Sequence, residues 1–206
     1  MEKGQIVTLT IEDMSAEGQG IGKLYETTRN ADAGRMDTSA DNNAQNAGNR
    51  GFAVFVKGAV VGDRVRAELT KVKKHYAFGR VLEVEALSPA RIEPFCPYQD
   101  TCGGCAYGTL NYDAQLALKE KQVRDKLGGL TDPKMQPIMG MGNEETQTEP
   151  FRYRNKASMP VSTGGLVTQK GGIVQPVHEP RIGFYRAKTH EVVDCEDCWL
   201  QSEPAM

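Results

Sequence analysis

The sequence predicts a mainly β chain with a minor α component: a small barrel followed by a small α+β domain. Three observations predict it. Short alternating apolar runs, separated by Gly and Asp turns, fill most of residues 1–87. A single helical stripe follows at Asn111–Leu127. The five cysteines fall in only two places, Cys96–Cys105 and Cys195–Cys198, which marks residues 88–206 as a separate, ligand-bearing domain.

The barrel strands read as follows. Gln5–Ile11 sets Ile6, Thr8 and Thr10 on one face against Val7, Leu9 and Ile11 on the other. Phe52–Val56 is a compact apolar run. Arg64–Lys71 places Val65, Ala67 and Leu69 on one face, and Phe78–Leu87 alternates less cleanly around Val81 and Val84. Gly58 and Gly62-Asp63 mark a turn between strands, and the glycines Gly18, Gly20 and Gly22 read as a hairpin turn. Residues 27–50 have Met36 as their only large apolar side chain. Such a segment cannot bury enough surface to offset its ordering entropy, so it reads as a disordered insertion in a hairpin loop.

Past Pro94 the pattern changes. Asn111 is a plausible N-cap and Gly128 a stop for a helix whose stripe is Tyr112, Leu116, Val123 and Leu127. Residues 131–150 read as a loop. Strand-like runs return at Ala157–Val161, Leu166–Thr168, Arg181–Tyr185 and Glu191–Val193.

The chain has 206 residues, of which 25% are charged and 39% apolar, as in an ordinary soluble domain. It has no apolar run long enough to span a membrane and no signal-peptide pattern at Met1-Glu2-Lys3-Gly4, so a cytoplasmic location is expected. There, clustered cysteines more often bind metal than form disulfides. The net charge of −2 hides two basic stretches. Residues 57–80 hold seven Lys/Arg against Asp63 and Glu68, and residues 150–190 hold seven against Glu179 alone. Each reads either as a face for a polyanion or as a solvated strand surface. In the first, Lys71, Lys73 and Lys74 lie beside Tyr76, a stacking aromatic. In the second, Arg152, Arg154 and Lys156 alternate, so a strand would point all three one way.

Cys96, Cys102 and Cys105 stand at spacings of six and three, with Gly103 and Gly104 between the last two. These glycines permit positive φ and let backbone N–H groups approach sulfur. Cys195 and Cys198 form a second C-x-x-C pair. Four thiolates suit Zn²⁺ or an iron–sulfur cluster, and spacing leaves the two open. A zinc site would use Cys102, Cys105, Cys195 and Cys198. As a nucleophile Cys195 is poor, because Asp194, Glu196 and Asp197 disfavour its thiolate.

The motif Cys96 to Cys105 resembles that of the TRAM-containing, iron–sulfur 23S ribosomal RNA uracil-C5 methyltransferases. So do Leu110-Asn-Tyr112-Asp-Ala-Gln115-Leu116, Phe151–Lys156, Gly183-Phe184-Tyr185 and Thr189-His190-Glu191-Val192-Val193-Asp194. Gly18–Gly22, Val54-Phe55-Val56 and Val61-Gly62-Asp63 resemble a TRAM domain, an OB-like RNA-binding barrel. The insertion at 27–50 departs from the family's shorter loop.

The resemblance implies a 4Fe-4S cluster on Cys96, Cys102, Cys105 and Cys198, the last placed by Leu200-Gln201, with Cys195 a bystander. It implies RNA contacts by Lys71, Lys73, Lys74, Tyr76, Arg152, Arg154 and Lys156. It further implies methyl transfer from S-adenosylmethionine to C5 of a uridine, on a Rossmann-like domain whose glycine-rich loop and Asp-Pro-Pro-Arg stretch find no match here. The chain is therefore expected to bind ribosomal RNA without binding S-adenosylmethionine or methylating alone, and no catalytic residue is assigned. The helix, which in the family packs on the catalytic domain, is expected to be loosely held or to meet that domain or a second copy. The competing reading is a stand-alone RNA-binding protein with a structural zinc.

Overall fold

A computed structural model of the chain describes residues 1–25, 51–128, 135–141, 150–162, 166–167, 175–176 and 180–205. The expected insertion at 27–50 lies outside the described residues. The chain divides into two compact units, Met1–Ile92 and Glu93–Met206. Among the described residues no helix is long and apolar enough to cross a membrane.

The first unit is a closed five-stranded barrel. Its strands are β1 (Ile6–Met14), β2 (Gly20–Leu24), β3 (Phe52–Lys57), β4 (Arg64–Val72) and β5 (Tyr76–Ala86), in the order β1-β2-β3-β5-β4. Strands β3 and β5 run parallel, and the other neighbours run antiparallel. Alternation decides which side chains fill the interior: Val7, Leu9 and Ile11 from β1, Val54 and Val56 from β3, and Val65, Ala67 and Leu69 from β4.

Strand β2 was not expected, since its glycines read as a turn. They serve close approach instead. A Cβ on Gly22 would collide with Leu9 Cδ1 and lie 2.6 Å from the Thr10 carbonyl oxygen, and one on Gly20 would lie 2.9 Å from the Ala59 carbonyl oxygen. Gly58 and Gly62 do form turns, each with positive φ (87° and 89°). The turn buries Asp63 completely. Its carboxylate accepts from the amides of Val60 (2.9 Å) and Ser88 (3.0 Å) and from the Arg91 guanidinium. Burial by itself would raise the Asp63 pKa. The Arg91 hydrogen bonds and the two amides outweigh it and hold the carboxyl below the usual carboxylate range.

Among its described residues the second unit holds one long helix, α1 (Tyr112–Leu127). Asn111 caps it through its side-chain oxygen, which accepts from Ala114 N at 2.9 Å, and Gly128 ends it at φ 54°. Leu118 is its buried side chain, whereas Val123 and Leu127 from the expected stripe are half exposed. The segment 135–141 is tied to α1 where Glu120 accepts from Ile138 N (3.0 Å) and the Tyr112 hydroxyl from Met141 N (2.7 Å).

The remaining strands are short: β6 (Val161–Ser162), β7 (Leu166–Val167), β8 (Gln175–Pro176), β9 (Arg181–Tyr185) and β10 (Val192–Asp194). They form the sheet β10-β9-β6 and the pair β7-β8. The expected strand at Ala157–Val161 shrinks to its last residue, because Pro160 has no N–H to give a ladder.

Candidate metal centre and nucleic-acid interface

The first cysteine loop is a chain of tight turns. Gln99 N donates to Cys96 O (3.1 Å), Cys102 N to Tyr98 O (2.7 Å), and the Gly104 amide to Cys102 Sγ (3.3 Å). Gly103 docks the loop on the end of β9, donating to Tyr185 O at 2.9 Å. A Cβ there would sit 2.9 Å from Ala187 backbone atoms. Neither Gly103 nor Gly104 has positive φ, contrary to expectation. Gly103 is needed for the close approach to Ala187, while at Gly104 the backbone amide supplies the N–H···S bond and a Cβ would find room beside Cys102 Sγ.

The second loop follows β10. Cys195 N donates to Ile182 O (3.0 Å), and Gln201 N donates to Cys198 O (2.9 Å). The Phe151–Lys156 element clamps this loop. Arg152 N and Arg154 N donate to the carbonyls of Trp199 and Leu200, at 2.8 and 2.9 Å. The Arg152 guanidinium grips Asp197 with two bonds, at 2.6 and 2.7 Å. The expected strand through Arg152, Arg154 and Lys156 is absent: Arg152 has φ 55°, and Arg154 makes only an isolated bridge with Gln201. The three do not share a strand face, and Arg152 is committed to the cysteine loop.

Three aromatic rings lock these segments together, and the sequence reading missed them. Phe95 meets Phe151 at 4.5 Å between centroids, and Trp199 lies 5.9 and 5.8 Å from the two. Each ring immediately adjoins a site residue (Cys96, Arg152, Cys198), a signal the sequence did contain. Such pairs contribute roughly 0.5–1.5 kcal/mol each.

Cys96, Cys102, Cys105, Cys195 and Cys198 line one cavity of about 50 Å³, together with Gln201. Cys96 belongs to the group, and so does Cys195, the expected bystander, which is buried and donates weakly to Asp197 O at 3.4 Å. Among the described residues no three His, Cys, Asp or Glu side chains gather tightly enough to hold one metal ion.

Burial first, and then repulsion from neighbouring thiols, pushes Cys105 and Cys195 up to about 11 and raises Cys102. The Gly104 amide opposes the shift at Cys102, and the positive charge of Arg154 opposes it at Cys105. Positive charge placed within the cavity would reverse this balance and favour thiolates.

On the barrel, the basic residues divide. Arg64, Arg66 and Arg80 are neutralised across β4–β5 by Glu85, Glu83 and Glu68, at 3.0, 2.7 and 2.8 Å. Lys71, Lys73 and Lys74 are exposed at the β4–β5 hairpin, closed where Lys73 N donates to Tyr76 O (2.9 Å), and no ion pair among the described residues engages them. Beside them the outward side chains of β3 and β5 form an aromatic trio. Tyr76 stands edge-on to Phe55 and Phe78, at 5.8 and 5.5 Å, and those two lie 5.6 Å apart. Phe55 and Phe78 were not among the expected contacts.

The TRAM domain family matches residues 1–82. An uncharacterized RNA methyltransferase of Halalkalibacterium halodurans is 34% identical over 98% of this chain and 36% of its own length. One from Bacillus cereus is 33% identical over 98% of this chain and 35% of its own. One from Gloeobacter violaceus is 33% identical, covering 97% and 35%. The chain thus spans about a third of the length of these relatives. The structure of Pyrococcus abyssi tRNA (uracil-54, C5)-methyltransferase with S-adenosyl-L-homocysteine aligns with a TM-score of 0.41 at 22% identity, covering 75% of this chain and 31% of that one.

Proposed function

We propose, for a chain that carries a TRAM domain and resembles RNA methyltransferases over 98% of its length, the role of RNA-binding and cluster-bearing front of such an enzyme. The reaction proposed for the whole enzyme is methyl transfer from S-adenosylmethionine to C5 of a 23S ribosomal RNA uridine, in the cytoplasm. We assign neither the S-adenosylmethionine site nor the nucleophile to these residues.

The observation that supports the reading most is that two loops some ninety residues apart bring Cys96, Cys102, Cys105 and Cys198 to one cavity. The site suits an iron–sulfur group on two grounds. Four cysteine sulfurs from two loops face one cavity, the soft donor set that an iron–sulfur cluster takes. The cavity also holds a buried amide oxygen of Gln201 with no partner, so something polar belongs there. Cys96, Cys102, Cys105 and Cys198 would hold the cluster, which when bound supplies a cationic iron core that neutralises the thiolates and can exchange one electron.

RNA is assigned to the barrel. Lys71, Lys73 and Lys74 supply charge for phosphates, and Tyr76 with Phe55 and Phe78 supplies faces for bases. Arg154 and Lys156 are exposed and are kept as contacts, whereas Arg152 acts as the loop clamp. Anaerobic purification followed by iron, sulfide and zinc analysis tests the cluster. Iron with equimolar sulfide and a visible absorption band is the expected result. Zinc without sulfide would establish the stand-alone zinc protein instead.

A further inference from the structure

The cysteine cavity contains a side chain that the thiols do not explain. Gln201 is 2% exposed, and its Oε1 is buried without a hydrogen-bond partner. An orphaned buried amide is costly, and its oxygen calls for a partner at this cavity. Its backbone is held from three sides: Gln201 N donates to Cys198 O, Arg152 Nη1 reaches Gln201 O at 3.4 Å, and Arg154 bridges it. The side chain is therefore aimed, not loose.

Gln99, the other buried amide with an unpartnered oxygen, differs. Its Nε2 is already spent on Cys105 O at 3.3 Å, where it braces the loop. The oxygen and nitrogen of a glutamine exchange places by a half-turn of the terminal amide, so the same position offers an N–H pair to the cavity. Sulfur in a thiolate-bound cluster accepts such bonds.

We propose that Gln201 donates its side-chain N–H to a sulfur of the cluster held by Cys96, Cys102, Cys105 and Cys198, and so positions it and raises its reduction potential. The inference rests on the cluster reading above. A donor to sulfur stabilises the reduced, more negative state, so its removal lowers the potential. The residue is not a ligand, so the iron content does not depend on it.

The test uses the anaerobically reconstituted full chain. Iron and sulfide are counted first, then the potential is measured for the natural chain and for Gln201→Met, which keeps length and removes the donor. Equal cluster content with a lower potential in Gln201→Met is expected. In the chain labelled with side-chain ¹⁵N glutamine, the reduced cluster should show a hyperfine coupling to an amide nitrogen, and Gln99→Met, which removes the other glutamine on the cavity, should leave that coupling in place. This second measurement decides the matter if Gln201→Met does not fold. A full cluster with unchanged potential, or with no amide coupling, would overturn the role of Gln201 alone. A natural chain that takes up no iron and sulfide would overturn the cluster reading, and this inference with it.

Discussion

Among the described residues, the barrel unit buries thirteen apolar side chains, from Val7 to Ala77, while the cysteine unit buries four: Leu110, Leu118, Val192 and Cys195. At roughly 1.5–3 kcal/mol for each large aliphatic side chain, the first unit can offset its chain entropy by apolar burial. The second cannot do so to the same extent. It relies on cross-links between loops: the Phe95–Phe151–Trp199 rings and the Arg152–Asp197 pair. The lesson is that one unit carries its stability in an apolar core, and the other leans on cross-links between loops, where binding of the proposed cluster would add folding free energy.

The largest expected effect breaks the second unit. Cys198→Ala should lose the iron completely, whereas Cys195→Ala should retain it, although both thiols face the cavity. Iron analysis of the two variants checks this, and iron loss in Cys195→Ala would make Cys195 a ligand.

Next comes the barrel. Asp63→Ala leaves Arg91 and two amides without their acceptor, and should cost about 3–5 kcal/mol in denaturant unfolding. Because the folded pKa of Asp63 lies below its unfolded value, its contribution is present at neutral pH and disappears as pH falls through the folded value. Asp63→Asn should therefore flatten the acid limb of the barrel's stability. An acid limb of unchanged steepness would show that other carboxylates govern it.

A smaller effect is expected at Gly22→Ala. Its Cβ would press on Leu9 and the Thr10 carbonyl, an overpacking that costs about 1–3 kcal/mol, read as a lowered thermal midpoint of the barrel.

Why was the barrel more legible than the site? Where a strand buries one face, side chains alternate, and the runs Ile6–Ile11 and Arg64–Leu69 announced their inward residues directly. Strand β2 hid because backbone-to-side-chain crowding selects glycine at Gly20 and Gly22, and a glycine looks like a turn in sequence. The thiols were legible as a group from spacing and family pattern. Their surroundings were not. The Arg152–Asp197 clamp spans forty-five residues, and positive φ at Arg152 breaks the alternation that suggested a strand. Gln201 stood out in sequence only as a marker that placed Cys198, and its approach to the cavity shows in its burial. Sequence periodicity reports faces of regular elements, whereas this site is made of loops.

The smallest effect on stability should come from the hairpin lysines. Replacing Lys71 and Lys74 by Ala should leave unfolding unchanged and reduce the salt dependence of single-stranded RNA binding by roughly 1.4 in log–log slope, at about 0.7 per phosphate contact. An unchanged slope would remove these residues from the RNA face.

The most direct test of the contrast between the units is hydrogen exchange on the anaerobic iron-loaded chain and on the same chain stripped by a chelator. The account predicts unchanged protection across β1–β5, loss of protection across Arg181–Gln201 on stripping, and faster exchange in Tyr112–Leu127 than in the barrel in both forms. Equal protection of Arg181–Gln201 with and without the metal would show that the cysteine unit stands on its own packing, and would contradict the account.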